Sequence, residues 1–222
     1  EQANLWEDYT EIAKDGTYAF LQTLKKDEHD HGEKFHYATG NTDVVGWLIE
    51  RASGQRFTEF FAQRIWSQLG AEHDASISVD INGFAAGSGG FAMTTRDFAR
   101  FGEMMRNNGQ LAGRHILPSG QVIDTVLNGN NDQFKDTKYA QIFNSPNGFY
   151  RNQWWMTGNK HGCYFAVGVY GQLLWIDPTA GVVIAKFSSW PDAVDVEKGG
   201  DTSSKQVFDR LVKKSAVRMR GS

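Results

Sequence analysis

Three polar side chains alternate in the short stretch YATGN: Tyr37, Thr39 and Asn41. A phenol close to a cation can carry a proton to and from a nucleophile, while a hydroxyl and an amide can hold neighbouring groups by hydrogen bonds. A simpler interpretation exists, because Thr39, Asn41 and Thr42 are also residue types that cap a helix start, and Tyr37 would then pack. Taken alone, the stretch favours the capping interpretation. The other segments of the chain are therefore needed to judge whether it has a catalytic role.

Histidines are the obvious candidates for a metal site. His29, His31 and His36 lie close together in the sequence and could ligate an ion. The carboxylates and lysines around them are more typical of a solvated loop, so we expect no metal there. His161, which precedes Gly162, is interpreted as a turn residue.

Two adjacent tryptophans are a second candidate feature. Trp154 and Trp155 in RNQWWMTGN could line a substrate groove. Alternation along a strand instead predicts one side chain in the core and the other outside. The glycine-rich GSGG at residues 87–90 lacks the lysine and the preceding strand of a phosphate-binding loop.

The elements that must position these residues are mostly helical at first. The small residues of 83–93 disfavour a helix, and residues 27–34 and 129–150 are predicted to be loops. Thr94 and Asp97 resemble a capping box. Helices are predicted over residues 17–26, from Asn41 or Thr42 to Gly54, from Thr58 to Gly70, from Thr94 to Gly109, and from Pro118 to about Leu127.

The pattern changes after Asn159. Three β-rich segments follow, with a turn at residues 177–181 between the second and the third, which predicts an antiparallel meander. Residues 202–214 are predicted to form a C-terminal helix. Helices followed by a meander define an α+β fold. The segments are CYFAVGVYG, QLLWIDP and GVVIAKFSSW.

Composition excludes several function classes. The 222 residues are 40% hydrophobic and carry a net charge of −3 without a basic block, so a nucleic-acid partner is disfavoured. No apolar run is long enough for a transmembrane helix. The single cysteine, Cys163, excludes an internal disulfide. Compartment stays open between bacterial periplasm and cytoplasm.

Five phrases of the sequence carry a family resemblance: FHYATGNTDVVGWLIERASG, GFAAGSGGFAMTTRDFARFGEMM, RNQWWMTGN, GVYGQLLWIDP and KFSSWPD. Together they resemble the serine β-lactamase and penicillin-recognising superfamily, in its class C-like branch of esterases and nylon-oligomer hydrolases. The resemblance implies an antiparallel sheet flanked by helices, with a helical subdomain. It also implies that residues 1–222 are the C-terminal part of one such domain, mostly helical over 1–158, with the meander and a last helix over 159–222.

The resemblance also implies roles for single residues. That family combines a Ser-x-x-Lys nucleophile, a Tyr motif, and a strand bearing Lys-Thr-Gly or an equivalent. Tyr37-Ala38-Thr39 matches the Tyr motif, which makes Tyr37 the proton shuttle. AVGV at residues 166–169 falls at the strand, so the N–H of Val169 would donate to the oxyanion. Substrate-binding roles are implied for Thr39, Asn41, Ser88, Gly168, Tyr170 and Trp155.

Two family features are absent from the chain. The strand lacks the lysine of Lys-Thr-Gly, which argues against an efficient β-lactamase. No serine is followed by a lysine three residues on, and only 36 residues precede Tyr37, whereas the family places Ser-x-x-Lys far upstream of its Tyr motif. We therefore expect the nucleophile on an upstream segment or a complementary chain, and the present chain alone to be inactive.

Two functions remain open from the sequence. The first is a serine hydrolase that cleaves small amides or carboxylic esters through an acyl-enzyme, without a metal or organic cofactor. The second is a non-catalytic binding module related to penicillin-recognising proteins, whose nucleophile was lost.

Overall fold

The chain has the expected α+β architecture and forms two compact units, residues 1–94 and 95–222. The computed structural model describes residues 14–26, 30, 32–118, 120, 122, 126, 128–129, 131–142 and 147–191. In the first unit the elements are α1 (Thr17–Thr23), α2 (Thr39–Ser53), α3 (Phe57–Arg64), a 3₁₀ turn (Trp66–Gln68), β1 (Ser76–Ile77) and β2 (Phe91–Ala92). In the second they are α4 (Thr95–Arg106), β3 (Gln110–Leu111), β4 (Arg114–His115), α5 (Lys138–Ile142), β5 (Phe149–Arg151), β6 (Trp154–Met156), β7 (Tyr164–Gly168), a 3₁₀ turn (Val169–Gly171), β8 (Gln172–Asp177) and β9 (Val182–Lys186).

Helix α2 begins earlier than predicted. Ala38 is its N-cap, with an extended backbone and no side-chain cap hydrogen bond. Thr39, Asn41 and Thr42 all lie inside the helix, so the capping interpretation of these residues is wrong. At the other end Gly54 stops the helix as predicted, with the left-handed φ of 67° that glycine adopts without strain.

The apolar stripe of α2 is largely exposed. The side chains of Val44, Val45 and Leu48 are 36%, 45% and 53% exposed, whereas Asp43 and Gly46 are buried. Val44 also lines a small apolar cavity of about 190 Å³. The helix therefore packs in its unit through its Asp43–Gly46 side, and its hydrophobic spacing did not reveal that orientation.

A distant carboxylate caps α1. Gly16 precedes this helix and has no side chain to offer, and the N–H of Thr17 donates to Asp80 Oδ2 at 2.7 Å. The other oxygen of Asp80 accepts the N–H groups of Asn82 and Phe84, both at 2.9 Å. One carboxylate thus ties the helix start to the loop that follows β1.

Helix α3 is shorter than the predicted Thr58–Gly70 helix. It ends at Arg64, and a 3₁₀ turn over Trp66–Gln68 completes the segment. Phe61 and Trp66 both pack on Phe91 of β2, with ring centroids 5.1 and 6.4 Å away. The helix, followed by the tighter turn, thus brings both rings to the same partner.

A five-stranded antiparallel sheet dominates the second unit and confirms the predicted meander. Its order is β5-β6-β7-β8-β9, so β5 and β9 are its outer strands among the described residues. Tyr164 pairs with Ile176, and Asp177 pairs with Val182 across the last turn. The predicted loop over residues 129–150 is wrong at α5 (Lys138–Ile142) and at Phe149, where the sheet begins, whereas residues 131–137 form turns and bends that fit the prediction.

Both tryptophans of β6 are buried, against the predicted alternation. Trp154 is 9% exposed and stacks on Phe101 of α4, while Trp155 is 6% exposed and packs against Tyr150 and Tyr139. Side chains cover both faces of the sheet here, so a strand can bury successive residues. The sequence alone cannot distinguish this case from a half-exposed strand.

Helix α4 packs closely on the sheet through a glycine. A methyl group at Gly102 would lie 2.6 Å from Val183 Cγ1 and 2.8 Å from Leu174 Cδ1. Farther along, Phe98 stacks on Phe187 with centroids 5.2 Å apart. Glycine at position 102 therefore allows the helix to lie close to the sheet, although glycine has a low helix propensity.

Some predictions fall outside the described residues. These are the C-terminal helix over 202–214, most of the helix predicted from Pro118, and the histidines at 29 and 31. In the part of the chain that is described, none of the helices has the length and hydrophobicity needed to span a membrane.

Candidate active site

Tyr37 lies on the extended segment directly before α2. Its side chain is half-buried, as is that of Thr39 at the first position of the helix, while Asn41 is exposed. The N–H of Asn41 donates to Ala38 O at 3.2 Å, which closes the first turn of the helix. The Tyr motif thus occupies the N-terminal end of α2, where backbone N–H groups point out of the helix.

A buried carboxylate connects this helix to Ser88. Asp43 is 2% exposed, and it lies four residues after Thr39, hence on the same side of α2. Its Oδ1 accepts the N–H of Ser88 at 2.9 Å, and the Ser88 hydroxyl and the Gly87 N–H also donate to it. A methyl group at Gly87 would approach the Thr42 carbonyl oxygen to 3.1 Å, so the loop passes close to the helix. The structure therefore brings Ser88 to the end of α2 that carries Tyr37.

Burial and hydrogen bonding act in opposite directions on the pKa of Asp43. Burial raises the pKa of Asp43, and the bonds from Ser88 and Gly87 only partly offset this rise. The folded state therefore holds the proton more tightly than the unfolded state, whose value is 3.8. This contribution to stability is present below that value and is lost as the pH rises through the raised pKa.

We expect Asp43→Ala to cost about 1–3 kcal/mol of unfolding free energy, because it removes the acceptor of the half-buried N–H groups of Gly87 and Ser88. Asp43→Asn keeps an acceptor without a buried charge, so its unfolding free energy should lie within about 1 kcal/mol of wild type at pH 7. Urea unfolding at several pH values measures both. If Asp43→Ala were as stable as Asp43→Asn, the loop would not depend on this carboxylate.

The second group of predicted residues lies at the turn between β7 and β8. Gly168 ends β7 and pairs with Gln172, and Val169 and Tyr170 form the 3₁₀ turn between them. Val169 and Tyr170 are each 45% exposed. The backbone turns through Tyr170 at φ 58° and ψ 22°. Trp155 is buried in the same unit, so any part it takes in a substrate groove stays a prediction.

A buried group of His161, Cys163 and Asp177 was missed as a group by sequence reasoning. Among the described residues their potential ligand atoms lie within 4.8 Å of one another, as a metal site would require. His161 Nδ1 lies 2.9 Å from Asp177 Oδ2, and the Cys163 thiol also donates to this carboxylate. A metal ion would have to displace the proton between His161 and Asp177 and the proton of the Cys163 thiol. In this structure the three side chains form a hydrogen-bonded network.

The charge state of this network follows from its hydrogen bonds. Burial acts to raise the pKa of Asp177, but the N–H of Ala180 and the donors on His161 and Cys163 outweigh it and leave the pKa lowered. An ionised carboxylate only accepts hydrogen bonds, so the proton between the two side chains resides on His161 Nδ1. The network joins the turn before β7 to the end of β8.

Asp43 was also missed as a positioning group. Its only signal in the sequence is a charged residue one helical turn after Thr39, in a helix whose spacing otherwise suggests an apolar face. The 45 residues that separate Asp43 from Ser88 give no local pattern that would pair them. Such a contact becomes visible only in the folded chain.

The fold and these residues together agree with a family assignment. Residues 3–203 match the family model described as Beta-lactamase. The chain belongs to this family.

Relatives within the family refine the picture. The chain is 42% identical over 176 residues to the 6-aminohexanoate-dimer hydrolase of Paenarthrobacter ureafaciens. The alignment covers 79% of this chain and 44% of that protein. A Bacillus anthracis structure provisionally named as a 6-aminohexanoate-dimer hydrolase aligns with a TM-score of 0.76 at 30% identity, over 93% of this chain and 50% of that one. The chain thus spans about half the length of these two relatives.

A more distant structure shares the fold. The D-stereospecific amidohydrolase of a Streptomyces species aligns with a TM-score of 0.61 over 92% of this chain and 63% of that chain. At 13% identity this similarity concerns the fold alone.

Proposed function

We propose that this chain is part of a serine hydrolase that cleaves small amides or carboxylic esters through an acyl-enzyme. The observation that carries the proposal is the half-buried Tyr37 at the N-terminal end of α2, beside which Asp43 docks the Ser88 loop. The nucleophilic serine and its lysine would lie on a segment outside the present chain. The 42% identity to a 6-aminohexanoate-dimer hydrolase supports the same reaction type.

Proton transfer defines the role of Tyr37 in this proposal. The upstream lysine favours the phenolate, which accepts the hydroxyl proton as the serine oxygen attacks the substrate carbonyl. When the tetrahedral intermediate collapses, the C–N or C–O bond breaks and Tyr37 returns the proton to the leaving amine or alkoxide. Water then attacks the acyl-enzyme, releases the carboxylic acid and regenerates the serine.

The turn after β7 has the complementary role. The N–H of Val169 donates to the oxyanion that forms on the carbonyl oxygen, and Gly168 allows the substrate to approach the backbone. Thr39 would hold the lysine network, whereas Asn41, Ser88, Tyr170 and Trp155 would contact the substrate. These reactions use side chains and backbone amides, and no step draws on a metal or organic cofactor.

The relatives and the strand sequence support a proposal for the substrate class. A 6-aminohexanoate dimer is a short linear amide, and we propose that this chain serves substrates of that size. AVGV at residues 166–169 lacks the lysine that would bind the carboxylate of a penicillin. We therefore expect little penicillin hydrolysis, and a preference for linear amides or esters.

The partner in this proposal is the segment that carries Ser-x-x-Lys, either upstream in the same polypeptide or on a complementary chain. Mass spectrometry tests it. The protein with this segment present should release a burst of p-nitrophenol from a short p-nitrophenyl ester and gain the mass of one acyl group on the serine peptide. The present chain alone is the matched control and should remain unmodified. If the complete protein gives neither burst nor adduct, the non-catalytic binding module is the better description.

A further inference from the structure

The turn after Val169 has a strained backbone. Tyr170 has φ 58° and ψ 22°, and Gly171 follows with φ 83°, so two successive residues are left-handed. A non-glycine residue is uncommon in this region and persists only where its surroundings hold it there. The surroundings of this turn therefore define the position of the backbone that includes the Val169 N–H.

The segment after β9 supplies those surroundings. The N–H of Trp190 donates to Tyr170 O at 3.3 Å, and Lys186 Nζ donates to Gly171 O at 3.3 Å. Gln172 Nε2 donates to Ser188 O at 2.7 Å, while the N–H of Ser188 donates to Gln172 Oε1 at 3.0 Å. Each of the three residues that follow Val169 is thus bonded to residues 186–190.

The Trp190 ring completes the contact. A methyl group at Gly171 would lie 2.4 Å from Trp190 Cε2, so the ring occupies the space that only glycine leaves open. Lys186 Nζ lies 4.9 Å from the centroid of the same ring, in the range of a cation–π interaction. The ammonium group therefore holds the Gly171 carbonyl and the indole together.

We propose that Gln172, Lys186 and Trp190 form a clamp that positions the Val169 N–H as oxyanion donor. They are positioning residues, since they act through the backbone of the turn. The inference rests on the proposed hydrolase function. An oxyanion donor works at about 2.7–3.1 Å from the developing charge, so a small displacement of the turn is costly. Misplacement by about 1 Å can lower a rate by about 10²-fold.

Gln172→Leu tests the clamp, because leucine has a similar size but neither hydrogen bond to Ser188. In the full protein with its nucleophile segment, we expect kcat to fall about 10–100-fold, while KM changes less than about threefold. Gln172→Glu keeps the acceptor for the Ser188 N–H and loses the donor to the Ser188 carbonyl. Its kcat should therefore lie between those of wild type and Gln172→Leu. Ser189→Ala is the matched control, since its exposed side chain takes no part in the clamp.

Two further measurements separate the clamp from a general loss of structure. Affinity for a phosphonate transition-state analogue should fall in parallel with kcat, whereas affinity for the carboxylic acid product should not. Hydrogen exchange of the Tyr170–Gln172 amides should accelerate at least about tenfold in Gln172→Leu and stay unchanged in Ser189→Ala. If Gln172→Leu does not fold, Lys186→Met replaces it as the test variant, because methionine keeps an aliphatic side chain but loses the ammonium group.

The possible failures are distinguishable. A complete wild-type protein without an acyl-enzyme overturns the proposed function. An active wild type with unchanged kcat in both Gln172→Leu and Lys186→Met overturns the positioning role. Unchanged amide exchange in both variants overturns the clamp itself, and a rise in KM at constant kcat would show that these residues serve substrate binding.

Discussion

Tyr37→Phe should lower kcat of the proposed hydrolase by roughly 10²–10⁴-fold, the range for removal of a positioned acid–base group. Phenylalanine keeps the ring and its packing but has no hydroxyl to accept or return a proton. Because the change affects proton transfer in acylation, KM should change little and the p-nitrophenol burst should slow. Steady-state and stopped-flow kinetics with the same ester measure both effects.

Tyr18→Phe provides the control for this variant. Tyr18 belongs to the same unit, is 42% exposed and packs its ring against Trp47 with centroids 4.6 Å apart, so loss of its hydroxyl should leave kcat unchanged. A Tyr37→Phe protein as active as Tyr18→Phe would remove Tyr37 from the mechanism. The Ser88 loop would then be a structural neighbour of α2 and no more.

Asp177→Ala should destabilise the protein by about 3 kcal/mol or more, because several donors lose one shared acceptor and each unsatisfied buried donor costs about 1–3 kcal/mol. Asp177 is 4% exposed and accepts hydrogen bonds from His161, Cys163 and the Ala180 N–H, all of which lose their acceptor. Chemical denaturation with a linear extrapolation measures the loss. Asp132→Ala is a control, since Asp132 pairs with Lys135 at 3.9 Å with 78% of its side chain exposed, and should cost less than about 0.5 kcal/mol.

Acid unfolding provides a second test of the same residue. The lowered pKa of Asp177 means that its contribution is present above the unfolded value of 3.8 and is lost as the pH falls through the folded pKa. Wild type should therefore lose stability steeply below about pH 4, and Asp177→Asn should lose less over that window. Equal slopes for the two proteins would show that Asp177 does not titrate differently on folding.

Local patterns were enough to predict much of the fold. The meander over β7–β9 followed from β-rich segments separated by a turn, and Gly54 marked the end of α2. The errors have physical causes that local patterns do not show. Both tryptophans of β6 are buried because Phe101 of α4 packs on Trp154, and the rings of Tyr139 and Tyr150 pack on Trp155. The early start of α2 has a different cause, because it reflects backbone geometry at Ala38 and not a side-chain cap.

The candidate site residues came only from contiguous motifs. Tyr37-Ala38-Thr39 and AVGV are such motifs, and the family resemblance proposes the roles of both, which stay predictions. Asp43 reaches Ser88 across 45 residues, and Gln172 reaches Ser188 across 16, so neither pairing leaves a signal in a short window. Residues that position a site are harder to find than residues that act in it, because their effect passes through backbone contacts.

Cys163 gives the chain a built-in reporter. It is the single cysteine of the sequence, and it is 0% exposed at the end of the segment that joins β6 to β7. A thiol reagent can modify it only after that region opens, so the labelling rate in native buffer reads out local opening at one defined atom. Local opening next to β7 can therefore be followed by the rate of labelling of the Cys163 thiol, without an engineered probe.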